Sequence, residues 1–117
     1  MIPKIIRVVD RKGMKKVKAI DHCERCGQRP NGFLNLEVAH VYGKGARGPD
    51  IKENCLKLCG PARLFAGCHG EDHLGHIEDD ELFSIIAERE EKPLEVIKKI
   101  AHDAWRFGIY EPDQNVL

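Results

Sequence analysis

Cys23 and Cys26 are separated by two residues and followed by Gly27, while Cys68 runs directly into His69. Thiolates at such spacing hold soft divalent ions, and a Cys-x-x-Cys-Gly run suits a zinc knuckle. Read inward, Cys23 and Cys26 form one pair, and Cys59 and Cys68 can form the second. Four thiolates around a tetrahedral zinc would make a closed structural site. The eight residues from Gly60 to Gly67 exceed the usual knuckle spacing, and Cys55 with Cys59 is the rival second pair. An odd count of five cysteines and the absence of a secretion signal argue against a disulfide framework. Redox chemistry is the competing use of Cys-x-x-Cys, but it wants a thioredoxin-like βαβ pattern that the residues around Cys23 lack.

These ligands need elements to position them. Leu34–Val41 reads as a strand, with Leu36, Val38 and His40 on one face and Glu37 and Ala39 on the other. Asn54–Cys59 reads as a second strand; if Leu56 and Leu58 face the core, Cys55, Lys57 and Cys59 face the other way, and the reading that competes with Cys55 as a ligand is a merely buried thiol. Cys68 to His73 reads as the opening of a short helix. Upstream, Ile5–Val9 and Lys16–Ile20 read as two extended segments joined by a turn at Asp10–Gly13, because one is β-branched and the other alternates.

Two amphipathic helices are expected downstream. The first starts at an Asp79 or Asp80 N-cap and runs to about Glu91, with Leu82, Ile85 and Ile86 inward. Pro93 sits at the next helix start, where its missing N–H costs nothing. Leu94, Val96, Ile97, Ile100, Ala101, Ala104 and Trp105 follow at helical spacing to a stop at Gly108. Tyr110–Leu117 reads as a frayed tail.

With 117 residues, 42% hydrophobic and 32% charged, the chain is expected to form one domain over residues 1–117. Collagen-like, coiled-coil and disordered classes fail on composition, and the apolar runs are too short for a transmembrane helix. Met1–Arg7 is charged too soon for a secretory signal, so a cytoplasmic protein is expected. Zero net charge hides a split: residues 1–48 carry eleven Lys/Arg against four Asp/Glu, and residues 49–117 carry eight against fifteen. The basic half suits a polyanion partner, through Arg11, Lys12, Lys15 and Lys16 and through Lys44 and Arg47 in the glycine-rich loop 43–50. A solvated face is the competing reading. That loop lacks the strand-loop-helix order and the Lys-Ser/Thr ending of a nucleotide-binding loop.

Between the cysteine pairs stand Glu37-Val38-Ala39-His40-Val41 and Glu53-Asn54-Cys55-Leu56-Lys57-Leu58-Cys59, and Gly67-Cys68-His69-Gly70 follows. In this ordered set the sequence resembles the HNH endonucleases, the zinc-stapled branch of the ββα-metal nucleases, over residues 20–76. Leu58-Cys59-Gly60 followed by Gly67-Cys68-His69-Gly70 looks most like small phage and prophage members. The resemblance implies an α+β fold: a zinc-bound ββα-metal core with a basic N-terminal β extension and two C-terminal helices over 79–107. It implies metal-dependent hydrolysis of DNA phosphodiester bonds, with His40 as general base and Asn54 orienting that imidazole or ligating the cation. His69 would hold one divalent cation (magnesium, manganese, nickel or zinc), with His73 as a secondary ligand, one turn on. Zinc ligation in place of Cys68 is the rival role for His69, and a solvated side chain that for His73. Many members carry Asp, Glu or His just before the base; here Ala39 stands there and cannot ligate, so the ion would rely on Asn54, His69, His73, substrate oxygens and water, or on a carboxylate such as Asp50 from the loop. A zinc-ribbon nucleic-acid-binding protein without catalysis is the alternative.

Overall fold

Two antiparallel strands, β1 (Asn35–His40) and β2 (Cys55–Gly60), form the hairpin around which the other elements gather. The computed structural model describes residues 7–43 and 48–112. His40 lies opposite Cys55, Ala39 opposite Leu56, Glu37 opposite Leu58 and Leu36 opposite Cys59. Opposed residues share a face, so the register sorts the side chains. Ala39, Leu56 and Leu58 enter the main core with Leu82, Phe83, Ile86 and Ile97. Val38 and Cys55 meet Met14 and Val17 in a smaller cluster.

That smaller cluster explains a correction at the N-terminal end. Arg11–Lys18 is a helix, α1, not a turn followed by a strand. Gly13, Met14 and Val17 form its buried side, a spacing of three to four that only a helix turns toward one surface. Lys15, Lys16 and Lys18 lie in its last turn, where the helix dipole favours positive charge. The local alternation of Lys16–Ile20 yields to this packing. Of the earlier expected strand, Val9 makes a single parallel bridge to Asp50, and Ile5 and Ile6 lie outside the described residues.

Beyond β2 a 3₁₀ turn at Ala62–Leu64 leads into α2 (Gly67–His73), which packs on β2. The two expected amphipathic helices follow as α3 (Asp79–Glu90) and α4 (Leu94–Phe107). The N-cap of α3 is Glu78, one residue before the earlier of the two expected caps, which places Asp79, Asp80 and Glu81 in the first turn where the dipole favours them. Pro93 precedes α4 and Gly108 ends it. Among the described residues, four α-helices and this two-stranded sheet make a small α+β fold, and no helix is long and apolar enough to cross a membrane.

Three polar or aromatic devices tie the layers together. Tyr42, just after β1, stacks on Trp105 of α4 at 4.8 Å between ring centroids and meets Phe83 of α3 edge-on at 4.9 Å. Arg89 of α3 donates to both carboxylate oxygens of Glu24 and to the carbonyls of Cys55 and Lys52. Tyr110 is not frayed: its hydroxyl lies 2.8 Å from Glu53 Oε1, a carboxylate that is itself buried. The rest of the expected tail from residue 113 lies outside the described residues.

Candidate metal centre and histidine site

The Sγ atoms of Cys23, Cys26, Cys59 and Cys68 all lie within 4.8 Å of one another. Sulfurs bound to tetrahedral zinc at about 2.3 Å stand about 3.8 Å apart. Cys26 Sγ and Cys59 Sγ are separated by 3.8 Å. Local backbone explains the approach. Gly27 takes a left-handed φ of 81° and donates to the Cys23 carbonyl at 2.8 Å, closing the knuckle. The Cys26 amide points at Cys23 Sγ (3.5 Å) and the Cys68 amide at Cys59 Sγ (3.2 Å). Arg25 adds a donor to Cys68 Sγ at 3.6 Å.

Electrostatics point the same way. Burial pushes the Cys23 thiol up, but the surrounding amide donors outweigh it and bring it to about 7. Burial, followed by the charge on Cys23, pushes Cys59 up; Cys68 is pushed up to about 12 by burial against the pull of Arg25. One thiolate forms readily and opposes the next, so four coexist only around a compensating cation. The cluster is therefore compatible with a structural metal such as zinc, and the rival pair of Cys55 with Cys59 is not the one assembled. Cys55 is fully buried four residues away, its thiol pushed up to about 12 by burial and then by Asp50.

His40 ends β1 with its side chain 24% exposed, and its Nε2 lies 2.5 Å from Asp50 Oδ1. Arg7 grips the same carboxylate at 2.7 Å and donates to the Gly48 carbonyl at 2.9 Å. Burial pushes Asp50 up, but the hydrogen bonds from His40 and Arg7 hold it below its ordinary value. Asp50 is a residue sequence reasoning named only in passing; its signal was a lone carboxylate closing a basic loop.

The side-chain hydrogen bonds of Asn54 go to backbone. Its Oδ1 accepts from the Tyr42 amide at 2.9 Å, and its Nδ2 donates to the carbonyls of Tyr42 and Pro49, each at 3.1 Å. Fully buried, it clasps the two ends of the connection between β1 and β2 and so fixes where His40 and Asp50 meet.

His69 enters from α2 and has a carboxylate of its own. Its Nδ1 lies 2.7 Å from Glu37 Oε1, and that oxygen also accepts from the Ala62 amide at 2.9 Å. These hydrogen bonds, set against burial, hold Glu37 below its ordinary range. A Cβ at Gly60 would collide with Glu37 Oε1, so glycine makes the space for this carboxylate. His73 stacks edge-on to His69 at 4.7 Å and is exposed. The structure thus gives His40 and His69 separate carboxylate partners. Strand alternation puts Glu37 and His40 on opposite faces of β1. Glu37 stands on the face of Ala39, where the resembled pattern asks for a ligand, and sequence reasoning missed it.

Arg11, Lys12, Lys15 and Lys16 all project from α1 into solvent, and Lys44 and Arg47 lie outside the described residues. A groove of about 780 Å³ between α1 and α3 is lined by Lys16, Glu24, Glu88 and Arg89 among others, and holds none of the expected catalytic residues. Comparison of the chain with protein-family models, curated proteins and solved structures finds no match.

Proposed function

We propose that this protein is a zinc-stapled ββα-metal endonuclease that hydrolyses DNA phosphodiester bonds. The observation that supports it best is the His40–Asp50 pair, poised at the end of a hairpin whose connection Asn54 clasps and whose far end carries four clustered thiols. With the Nε2 proton held by Asp50, His40 Nδ1 is left as the basic nitrogen. It takes a proton from water as the oxygen attacks phosphorus, and Asp50 stabilises the imidazolium that forms. Glu37 fixes the His69 ring through Nδ1, which leaves Nε2, with His73 beside it, to hold a divalent cation. Such a cation neutralises charge on the phosphate and assists the leaving oxygen. Zinc among the four cysteines is structural in this reading, and the exposed basic residues of α1 track phosphates.

A second reading is a zinc-ribbon nucleic-acid-binding protein without catalysis. It is favoured by Ala39, which is fully buried and offers no ligand. Plasmid incubated with the protein and magnesium, manganese or nickel separates the two. The nuclease reading expects cleavage that drops ~10²–10⁴-fold in His40→Ala, with zinc content unchanged. Cleavage at the wild-type rate in that variant would sink the assignment of this site; binding without cleavage under every cation would favour the second reading.

A further inference from the structure

Cys55 sits directly across the hairpin from His40, on the same face. Its Sγ, a ring nitrogen of His40 and an Asp50 oxygen all lie within 4.8 Å of one another. We propose that His40, Asp50 and Cys55 form a second metal site, distinct from the four-cysteine cluster and selective for thiophilic transition ions such as zinc or cobalt. One nitrogen, one carboxylate oxygen and one sulfur make a mixed donor set that suits such ions and not magnesium. Three protein ligands also leave a fourth position open for water or an oxygen ligand. The geometry supplies a closed side and an open one: Cys55 is fully buried, whereas the His40 and Asp50 side chains are 24% and 27% exposed. An ion enters past the imidazole and the carboxylate and seats on the sulfur.

Charge and protons balance. The Cys55 thiol, which now points at the Pro49 carbonyl at 3.6 Å, releases its proton to solvent. The imidazole shifts its proton from Nε2 to Nδ1, and the ion takes the place of the hydrogen bond between His40 and Asp50. A thiolate and a carboxylate then neutralise the divalent charge, while Arg7, itself anchored on the Gly48 carbonyl, keeps Asp50 in place. A consequence that rests on the nuclease reading follows: with a proton on Nδ1, His40 no longer accepts one from water. A soft ion at this site is then an inhibitor, while the cation beside His69 is an activator.

Cobalt(II) titrated into protein already holding one zinc tests the site without reference to activity. A thiolate-to-cobalt absorption band should rise in the near ultraviolet and saturate at one added equivalent. Cys55→Ser should lose that band while keeping its one zinc, and Asp50→Asn should weaken cobalt binding by ~10–100-fold or more, as disturbing metal-site partners does. No band in the wild type, or an equal band in Cys55→Ser, overturns the proposal. A band in a protein that cleaves no DNA keeps the metal site and removes the nuclease reading. Cleavage that zinc inhibits equally in wild type and Cys55→Ser keeps the nuclease and removes the inhibitory role.

Discussion

Cys55 and Cys59 lie on one strand and on one face of it, four residues apart, yet they meet different company. At the Cys59 end, backbone amides and three other thiols converge, and Arg25 donates to the Cys68 sulfur. At the Cys55 end, the neighbours are an imidazole and a carboxylate that open toward solvent. The same residue type is thus drawn into a sulfur-only cluster at one end of the hairpin and a mixed set of donors at the other. The difference comes from what loops deliver. The knuckle at Cys23–Gly27 and the turn before α2 bring sulfur and amides to Cys59, whereas the clasped connection after β1 brings Asp50 to His40.

The largest effect should separate the two ends directly. Structural zinc couples about 10–16 kcal/mol of binding free energy to folding in small zinc domains. Cys59→Ser should therefore lose stoichiometric zinc and its cooperative thermal transition. Cys55→Ser should keep its zinc and lose only about 1–3 kcal/mol, the cost of a buried hydroxyl. Elemental analysis and thermal unfolding measure both. The reverse ranking would make Cys55 the structural ligand.

Arg89 joins the ends, since one guanidinium binds Glu24 in the knuckle and the Cys55 carbonyl in β2. Glu24 is 6% exposed at its side chain, so removing its partner strands a buried charge. Arg89→Ala should cost about 3–5 kcal/mol in urea unfolding. Arg89→Ala with Glu24→Gln should recover part of that loss; an additive double mutant would mean that the pair does not couple the ends.

Gly60 probes the histidine that has its own carboxylate. Gly60→Ala forces Glu37 from its place and should cost about 1–3 kcal/mol. It should also move the His69 ring resonances while leaving those of His40 alone. Shifts of equal size at both histidines would show that the Glu37 contact also reaches His40 and is not particular to His69.

How much of this was legible depends on the range of the interaction. The helices at 79–90 and 94–107 declare themselves through apolar spacing, Pro93 and Gly108, all local signals. The two strands follow from alternation, and the four cysteines from ligand type. Helix α1 was misread because its buried side, Met14 and Val17, acquires meaning only when Cys55 and Val38 are packed against it. Asp50 and Glu37 were overlooked as partners for a related reason. A carboxylate becomes the partner of a histidine through strand register and loop closure, and neither is written in the spacing of either residue. Asn54 shows the converse. Its place between the two strands drew it into the expected site, but its hydrogen bonds go to the backbone of Tyr42 and Pro49, in the connection that carries Asp50.

The smallest effect on folding belongs to the basic side of α1. Arg11, Lys12, Lys15 and Lys16 are exposed, so reversing them to Glu should change stability by no more than about 0.5 kcal/mol each. Lys15 and Lys16 also lose the dipole benefit of the last turn, which sets the sign as destabilising. Their effect on DNA should be larger than their effect on the fold. Each neutralised phosphate releases about one counterion, so a reversal that frees one phosphate flattens the slope of log affinity against log salt by about 0.9. Fluorescence anisotropy with a labelled duplex, at several salt concentrations, reads that slope for wild type and for each reversal. A reduced slope at Arg11 and Lys12 alone would place DNA along the start of α1. An unchanged slope at all four would make α1 a solvated face and leave DNA to other basic residues, Lys44 and Arg47 first.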